Sequence, residues 1–127
     1  MESITKEVVI ELIYRTEIEL ASTHTRLSLP IINRIYKKMI AGIKILPIKV
    51  EGNFICDGHH RYVASLLAKY SLERVSWVTT SATTVIDWKT MSFDESDWDT
   101  EDEINLRNRQ DAEYNSVSIE EIVEMLK

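Results

Sequence analysis

Asp57-Gly58-His59-His60-Arg61 places a carboxylate, two imidazoles and a guanidinium around one glycine within five consecutive residues. An apolar run, Phe54-Ile55-Cys56, precedes it. After it comes a helical pattern in which Val63, Ala64, Leu66, Leu67 and Tyr70 supply one apolar face, so the segment reads as a turn between a strand and a helix N-terminus. The first N–H groups of a helix lack internal acceptors, and the macrodipole adds roughly half a positive charge there, which attracts anions. Gly58 is expected to let a ligand reach the backbone without meeting a Cβ, and Arg61 offers a planar fork of donors suited to phosphate or carboxylate. Together these features predict a phosphate site.

Three residues of the turn are candidates for catalysis. Asp57 could hold Mg²⁺, orient an imidazole or take a proton from a hydroxyl substrate; in its simpler role it would cap the following helix. His59 and His60 project about 100° apart on a helix, so one of the two is expected to face a ligand. Gly58 and Arg61 are the phosphate-binding candidates. Zinc does not fit, because Cys56, His59 and His60 would need a fourth ligand from His24 or a carboxylate, and no paired cysteine spacing exists.

The elements that must position this turn can be read in outline. Val8-Val9-Ile10 is β-branched and predicts a first strand within Val8 to Ile13. Ser28 with Pro30 just inside starts a helix whose apolar positions, Leu29, Ile32, Ile35, Tyr36, Met39 and Ile40, recur until Gly42. Ile45 to Val50 and Asn53 to Cys56 flank Glu51-Gly52 as a hairpin, and Val75 to Thr79 and Thr84 to Trp88 predict further strands separated by the Ser/Thr/Ala stretch at 80 to 83. Thr100 with Glu103 and Ser118 with Glu121 have capping-box spacing, the second ahead of an amphipathic helix from Ile119 to Leu126. The expected class is α/β (α+β): one domain with a small mixed sheet, helices around it and short C-terminal helices.

Bulk properties narrow the functions. A chain of 127 residues with 44% hydrophobic content suits a single core. Its net charge of -6 is uneven: residues 1–90 hold 12 Lys and Arg against 9 Asp and Glu, a net +3, whereas residues 91–127 hold 3 against 12, a net -9. We therefore expect a core at 1–90 and an acidic C-terminal extension at 91–127 packed on the same domain. The acidic third opposes a nucleic-acid backbone, so DNA is an unfavoured partner, while the body suits one small anionic ligand. Phe93 to Glu103 packs seven carboxylates around Trp98, as a solvated loop or as a docking strip for a basic protein partner. A single Cys56, a charged N-terminus and the lack of a long apolar run predict a cytoplasmic protein that does not enter a membrane.

The helix, then Ile45-Leu46-Pro47-Ile48-Lys49-Val50, then Ile55-Cys56-Asp57-Gly58-His59-His60-Arg61-Tyr62-Val63-Ala64, resembles the ParB/sulfiredoxin superfamily over roughly residues 8 to 80. In that family a Pro-Ile-x-Val strand and a Gly-x-x-Arg-x-x-Ala turn build a nucleotide pocket; the matching positions here are Gly58, Arg61 and Ala64. Sulfiredoxins place a catalytic cysteine directly after the glycine, where this chain has His59, and ParB partition proteins read Gly-Glu-Arg-Arg in the turn. The Asp-Gly-His-x-Arg form is most similar to the free-serine kinase branch, which transfers a nucleotide's phosphate to a small hydroxyl substrate. The resemblance implies a second contact loop, filled here by Thr23, His24 and Arg26 as phosphate or nucleotide ligands, unless these residues simply lead the chain to Ser28. It implies ATP, ADP or CTP with Mg²⁺, held in part by Asp57. The leading expectation is thus a nucleotide-binding protein that performs phosphoryl transfer or nucleotide hydrolysis at residues 57 to 61. The alternatives are a non-catalytic module, such as a nucleotide-gated adaptor or an immunity or antitoxin protein using residues 93–103, and a ParB-like nuclease.

Overall fold

Val9 and Ile13 stand one helical turn apart and are both buried, and this spacing overrides the β propensity of their neighbours. In a computed structural model of the chain, which describes residues 3–79 and 83–127, the expected first strand is instead helix α1, Lys6–Arg15. Thr5 caps it by accepting from the Val8 N–H, and Glu11 pairs with Arg15 across one turn.

The chain then runs without regular structure to a three-residue strand β1, Arg26–Ser28, and enters helix α2, Leu29–Ile40, with Pro30 in its first turn. The expected hairpin forms from β2, Ile48–Glu51, and β3, Phe54–Asp57, which are antiparallel with an irregular register between Lys49 and Val50. Helix α3, His59–Ala68, follows, and β4, Arg74–Ser76, returns parallel to β2, so this sheet has the order β3-β2-β4 and is mixed. A strand over Thr84 to Trp88 does not form. Ile86 makes one bridge to Ser22, after which the Asp87 side chain accepts from the Lys89 N–H and starts a single 3-10 turn, Trp88–Thr90. Residues 80–82 of the expected Ser/Thr/Ala connection lie outside the described residues.

Strand β5, Ser92–Asp94, pairs in parallel with β1 in a second, two-stranded sheet, bringing the buried Leu27 and Phe93 side by side. Helix α4, Glu101–Asn115, is the longest in the chain rather than short, opened by the full Thr100/Glu103 capping box; α5, Ile119–Met125, starts with the Ser118 hydroxyl accepting from the Glu121 N–H.

The fold is α+β, with helices around two small sheets. One core joins Val9 and Ile13 of α1, Leu27, Ile32 of α2, Ile48 and Ile55 of the hairpin, Tyr62 and Val63 of α3, Trp88, and Ala112 and Ile122 of the last two helices. Residues 91–127 therefore share the core of residues 1–90. Among the described residues no helix is long and apolar enough to cross a membrane.

Candidate functional site

Strand β3 ends at Asp57 and helix α3 begins at His59, so Gly58 makes the whole connection, with φ at +103°. A Cβ at this position would run into the Ile48 side chain and lie 3.0 Å from the Arg61 guanidinium. Glycine is thus required by the left-handed backbone and by packing on β2, a structural demand the sequence alone did not reveal. Gly58 is itself the N-cap, so no side chain caps α3, and Asp57 does not take the capping role. The Tyr62 N–H is the first to bond within the helix, to the Gly58 carbonyl at 2.9 Å, which leaves the amides of His59, His60 and Arg61 without a helical acceptor.

The two histidines hold the preceding loop onto this turn. His59 Nε2 accepts from the Thr23 N–H at 3.0 Å, and His60 Nε2 accepts from the Ser28 N–H at 2.9 Å. An imidazole that accepts at Nε2 carries its proton at Nδ1, so both rings are neutral and present an N–H there. Burial, with help from the neighbouring His24, lowers the pKa of His59 to about 3 and that of His60 to about 4. His59 is only 2% exposed, lies stacked under His24 at 3.9 Å between ring centroids, and its Nδ1 has no hydrogen-bond partner. Neither ring has a free lone pair at Nε2 to act as a base.

Arg61 also turns inward first. One terminal nitrogen donates to the carbonyls of Pro47 (2.9 Å) and Leu46 (3.3 Å), and the other to the Asp57 carboxylate (3.2 Å). Burial lowers its pKa, Asp57 opposes that shift, and the charge of Arg107 adds to it. Asp57 itself is well exposed, at 63% of its side chain.

The turn opens onto a cleft of about 1020 Å³ between α2, the β2–β3 hairpin, α3 and α4. One part of its wall is apolar, with Ile31, Ile35, Ile45, Leu46 and Pro47; the rest is mixed in charge, with the cations Arg34, Lys38, Lys49, Arg61 and Arg107 beside the carboxylates Asp57, Asp99, Asp111 and Glu113. Lys38 is 3% exposed and bonded to Asp111 of α4 at 2.7 Å. Arg34 forks onto Asp97 at 2.5 and 2.9 Å and reaches Asp99 at 3.3 Å; burial opposes its charge, but these carboxylates overcome the penalty and raise its pKa. Lys49 Nζ sits 4.0 Å over the Trp77 ring.

Asp57, Gly58, His59, His60, Arg61 and His24 all line the cleft. Thr23 stands behind His59, with its hydroxyl bonded to the Ile55 carbonyl, and Arg26 points elsewhere, pairing with Asp94 at 2.7 Å. Sequence reasoning missed the rest of the lining, namely Arg34 and Lys38, one turn apart on α2, the hairpin's Lys49 and Arg107 of α4, and it read Trp98 as part of a solvated or docking segment where the structure puts it in the cleft wall. The available signal was the Arg34/Lys38 spacing beside an apolar stripe, with acids in excess further along the chain to receive them.

The acidic segment after β5 folds over one end of the cleft as a strap. Asp94 accepts from the Ser96 N–H and hydroxyl, from the Trp98 indole N–H and from Arg26, and its pKa is driven down by these bonds, those from Ser96 foremost. Ser28 donates its hydroxyl to the Ser96 carbonyl instead of capping α2. Asp94, Asp97 and Asp99, expected to be solvated or offered to a basic partner, are therefore engaged with Arg26 and Arg34 of the same chain.

Among the described residues no group of three or more His, Cys, Asp or Glu side chains converges as a metal site. Asp99 and Asp111 are held against Arg34 and Lys38, whereas Asp57, paired with Arg61 but with 63% of its side chain exposed, and the exposed Glu113 are the cleft carboxylates with room to share Mg²⁺ with a ligand's phosphates, an arrangement Mg²⁺ commonly adopts. No family model, no curated protein and no solved structure matches the chain.

Proposed function

We propose that the chain binds a nucleotide in this cleft, with a phosphate on the free amides at the start of α3 and the nucleoside along the apolar wall. One observation carries the proposal: an uncapped helix N-terminus, with the buried Nδ1–H of His59 unpartnered beneath it, opens into a cleft far larger than a phosphate ion and lined by both cations and aliphatic side chains. Lys49 and Arg107 add positive charge. The resemblance of the Pro47-Ile48-Lys49-Val50 and Gly58-x-x-Arg61 segments to the ParB/sulfiredoxin superfamily points to the same ligand class. ATP, ADP and CTP with Mg²⁺ are the candidates, and a free Cys56 thiol and such ligands fit a cytoplasmic setting.

For phosphoryl transfer or hydrolysis, Asp57 is the residue we assign as base toward a hydroxyl or water, since His59 and His60 have their Nε2 atoms bonded to backbone amides. That same commitment of the imidazoles supports a second reading, in which the cleft binds nucleotide without turning it over. Calorimetric titration with ATP, ADP and CTP plus Mg²⁺, followed by phosphate-release assays on the native chain and Asp57→Asn, tests both. Turnover that is lost in Asp57→Asn supports the enzyme; tight binding without turnover supports the binding module. Absence of binding by all three nucleotides removes the proposal.

A further inference from the structure

We propose that Trp98 is the surface on which the planar base of the nucleotide stacks, an inference that rests on the nucleotide reading above. Trp98 lines the cleft and remains 41% exposed although it is fixed on three sides. Its indole N–H donates to Asp94 at 3.1 Å, its backbone N–H donates to the Ser28 hydroxyl at 3.4 Å, and its ring meets His60 at right angles, 5.4 Å between centroids. A large apolar ring held this firmly, yet left partly uncovered in a cleft, is presented for contact, and little conformational freedom would be lost when a second ring docks on it.

Position and charge identify what docks there. His60 belongs to the first turn of α3, so the indole stands beside the free amides proposed to take the phosphate. The strap around Trp98 carries Asp94, Asp97 and Asp99, with Arg34 already neutralised by two of them. A second phosphate would be repelled at this end, whereas an uncharged aromatic base would not. The ligand's direction follows: ring toward the strap, phosphates toward the start of α3, Lys49 and Arg107. Stacking of this kind tolerates different bases, since every base has a π face.

The test is calorimetry on native chain, Trp98→Leu and Trp98→Phe, with ATP, CTP and inorganic tripolyphosphate as probes, each with Mg²⁺. Trp98→Leu is expected to weaken ATP and CTP between about fivefold and a hundredfold while leaving tripolyphosphate unchanged, and Trp98→Phe to retain most of the affinity. Independently of any variant that folds poorly, ATP should quench indole fluorescence in the native chain and fail to do so in Trp98→Phe. Unchanged ATP affinity in Trp98→Leu, equal losses for ATP and tripolyphosphate, or native binding of tripolyphosphate as tight as ATP would each overturn the stacking role while leaving the phosphate turn standing. A native chain that binds neither ATP, CTP nor tripolyphosphate overturns the nucleotide reading and the stacking role with it.

Discussion

Acid should destabilise this protein through two histidines before its carboxylates titrate. In the unfolded chain both imidazoles take up a proton near pH 6.5; in the fold, burial holds them neutral down to about pH 3 for His59 and about pH 4 for His60. The folded-state values of these bases are depressed, so the unfolded chain binds more protons between 6.5 and 4, and stability falls as pH drops through that window and is flat above it. With one proton per ring and 1.36 kcal/mol per pH unit, the slope approaches about 2.7 kcal/mol per unit, and the loss between pH 8 and pH 5 is about 4 kcal/mol. That is a large fraction of the roughly 5–15 kcal/mol that holds a domain folded. Glu51, Asp94, Asp97 and Glu103 all have lowered pKa values, so their contributions are complete above the usual carboxylate range and disappear only below about pH 4.5. Urea unfolding followed by circular dichroism at pH 8, 7, 6 and 5 isolates the histidines. His59→Gln, whose Oε1 can accept from the Thr23 N–H without titrating, should halve the slope. A midpoint constant from pH 8 to 5, or a slope unaltered in His59→Gln, would refute the assignment of neutral, amide-bonded imidazoles.

Other substitutions test separate parts of the structure. Gly58→Ala should destabilise the chain by about 2 kcal/mol or more in urea unfolding, because φ at +103° is strained for alanine and its Cβ meets Ile48. Asp111→Ala leaves the buried Lys38 ammonium unpaired and should lower stability by about 3–5 kcal/mol, whereas the double change Lys38→Met/Asp111→Leu should restore most of that loss; equal instability of the two would argue against the ion pair. Thr100→Ala removes the acceptor for the Glu103 N–H and should reduce unfolding free energy by about 1 kcal/mol with no effect on nucleotide titrations.

Local signals made part of this molecule readable. α2 announced itself by Ser28, Pro30 and apolar periodicity, the β2–β3 hairpin by Glu51-Gly52, and α4 by Thr100 and Glu103, since each depends on contacts a few residues apart. α1 was misread because Val8, Val9 and Ile10 favour strands locally, while the burial of Val9 and Ile13 that decides the matter comes from elements far along the chain. β1 and β5 are three residues each and pair residues 26–28 with 92–94, leaving no pattern long enough to detect. The site divides in the same way. Asp57 to Arg61 are consecutive and stand out as a cluster of chemistry-bearing side chains, and all five line the cleft; Arg34, Lys38, Trp98 and Arg107 reach it only through tertiary packing. The histidines were recognised as special, but their partners, the amides of Thr23 and Ser28, could not be inferred from residue types.

The parallel pairing of β1 with β5 also bears on how the protein comes into being. Its two strands, at residues 26–28 and 92–94, are far apart in sequence, so closing this pair must wait for everything in between. As the chain leaves a ribosome, the glycine turn can take shape while the strap and the longest helix are still being made. A product truncated near residue 90 would lack Asp111 and leave the Lys38 ammonium without its carboxylate, so the shortened chain should be markedly less stable than the finished one.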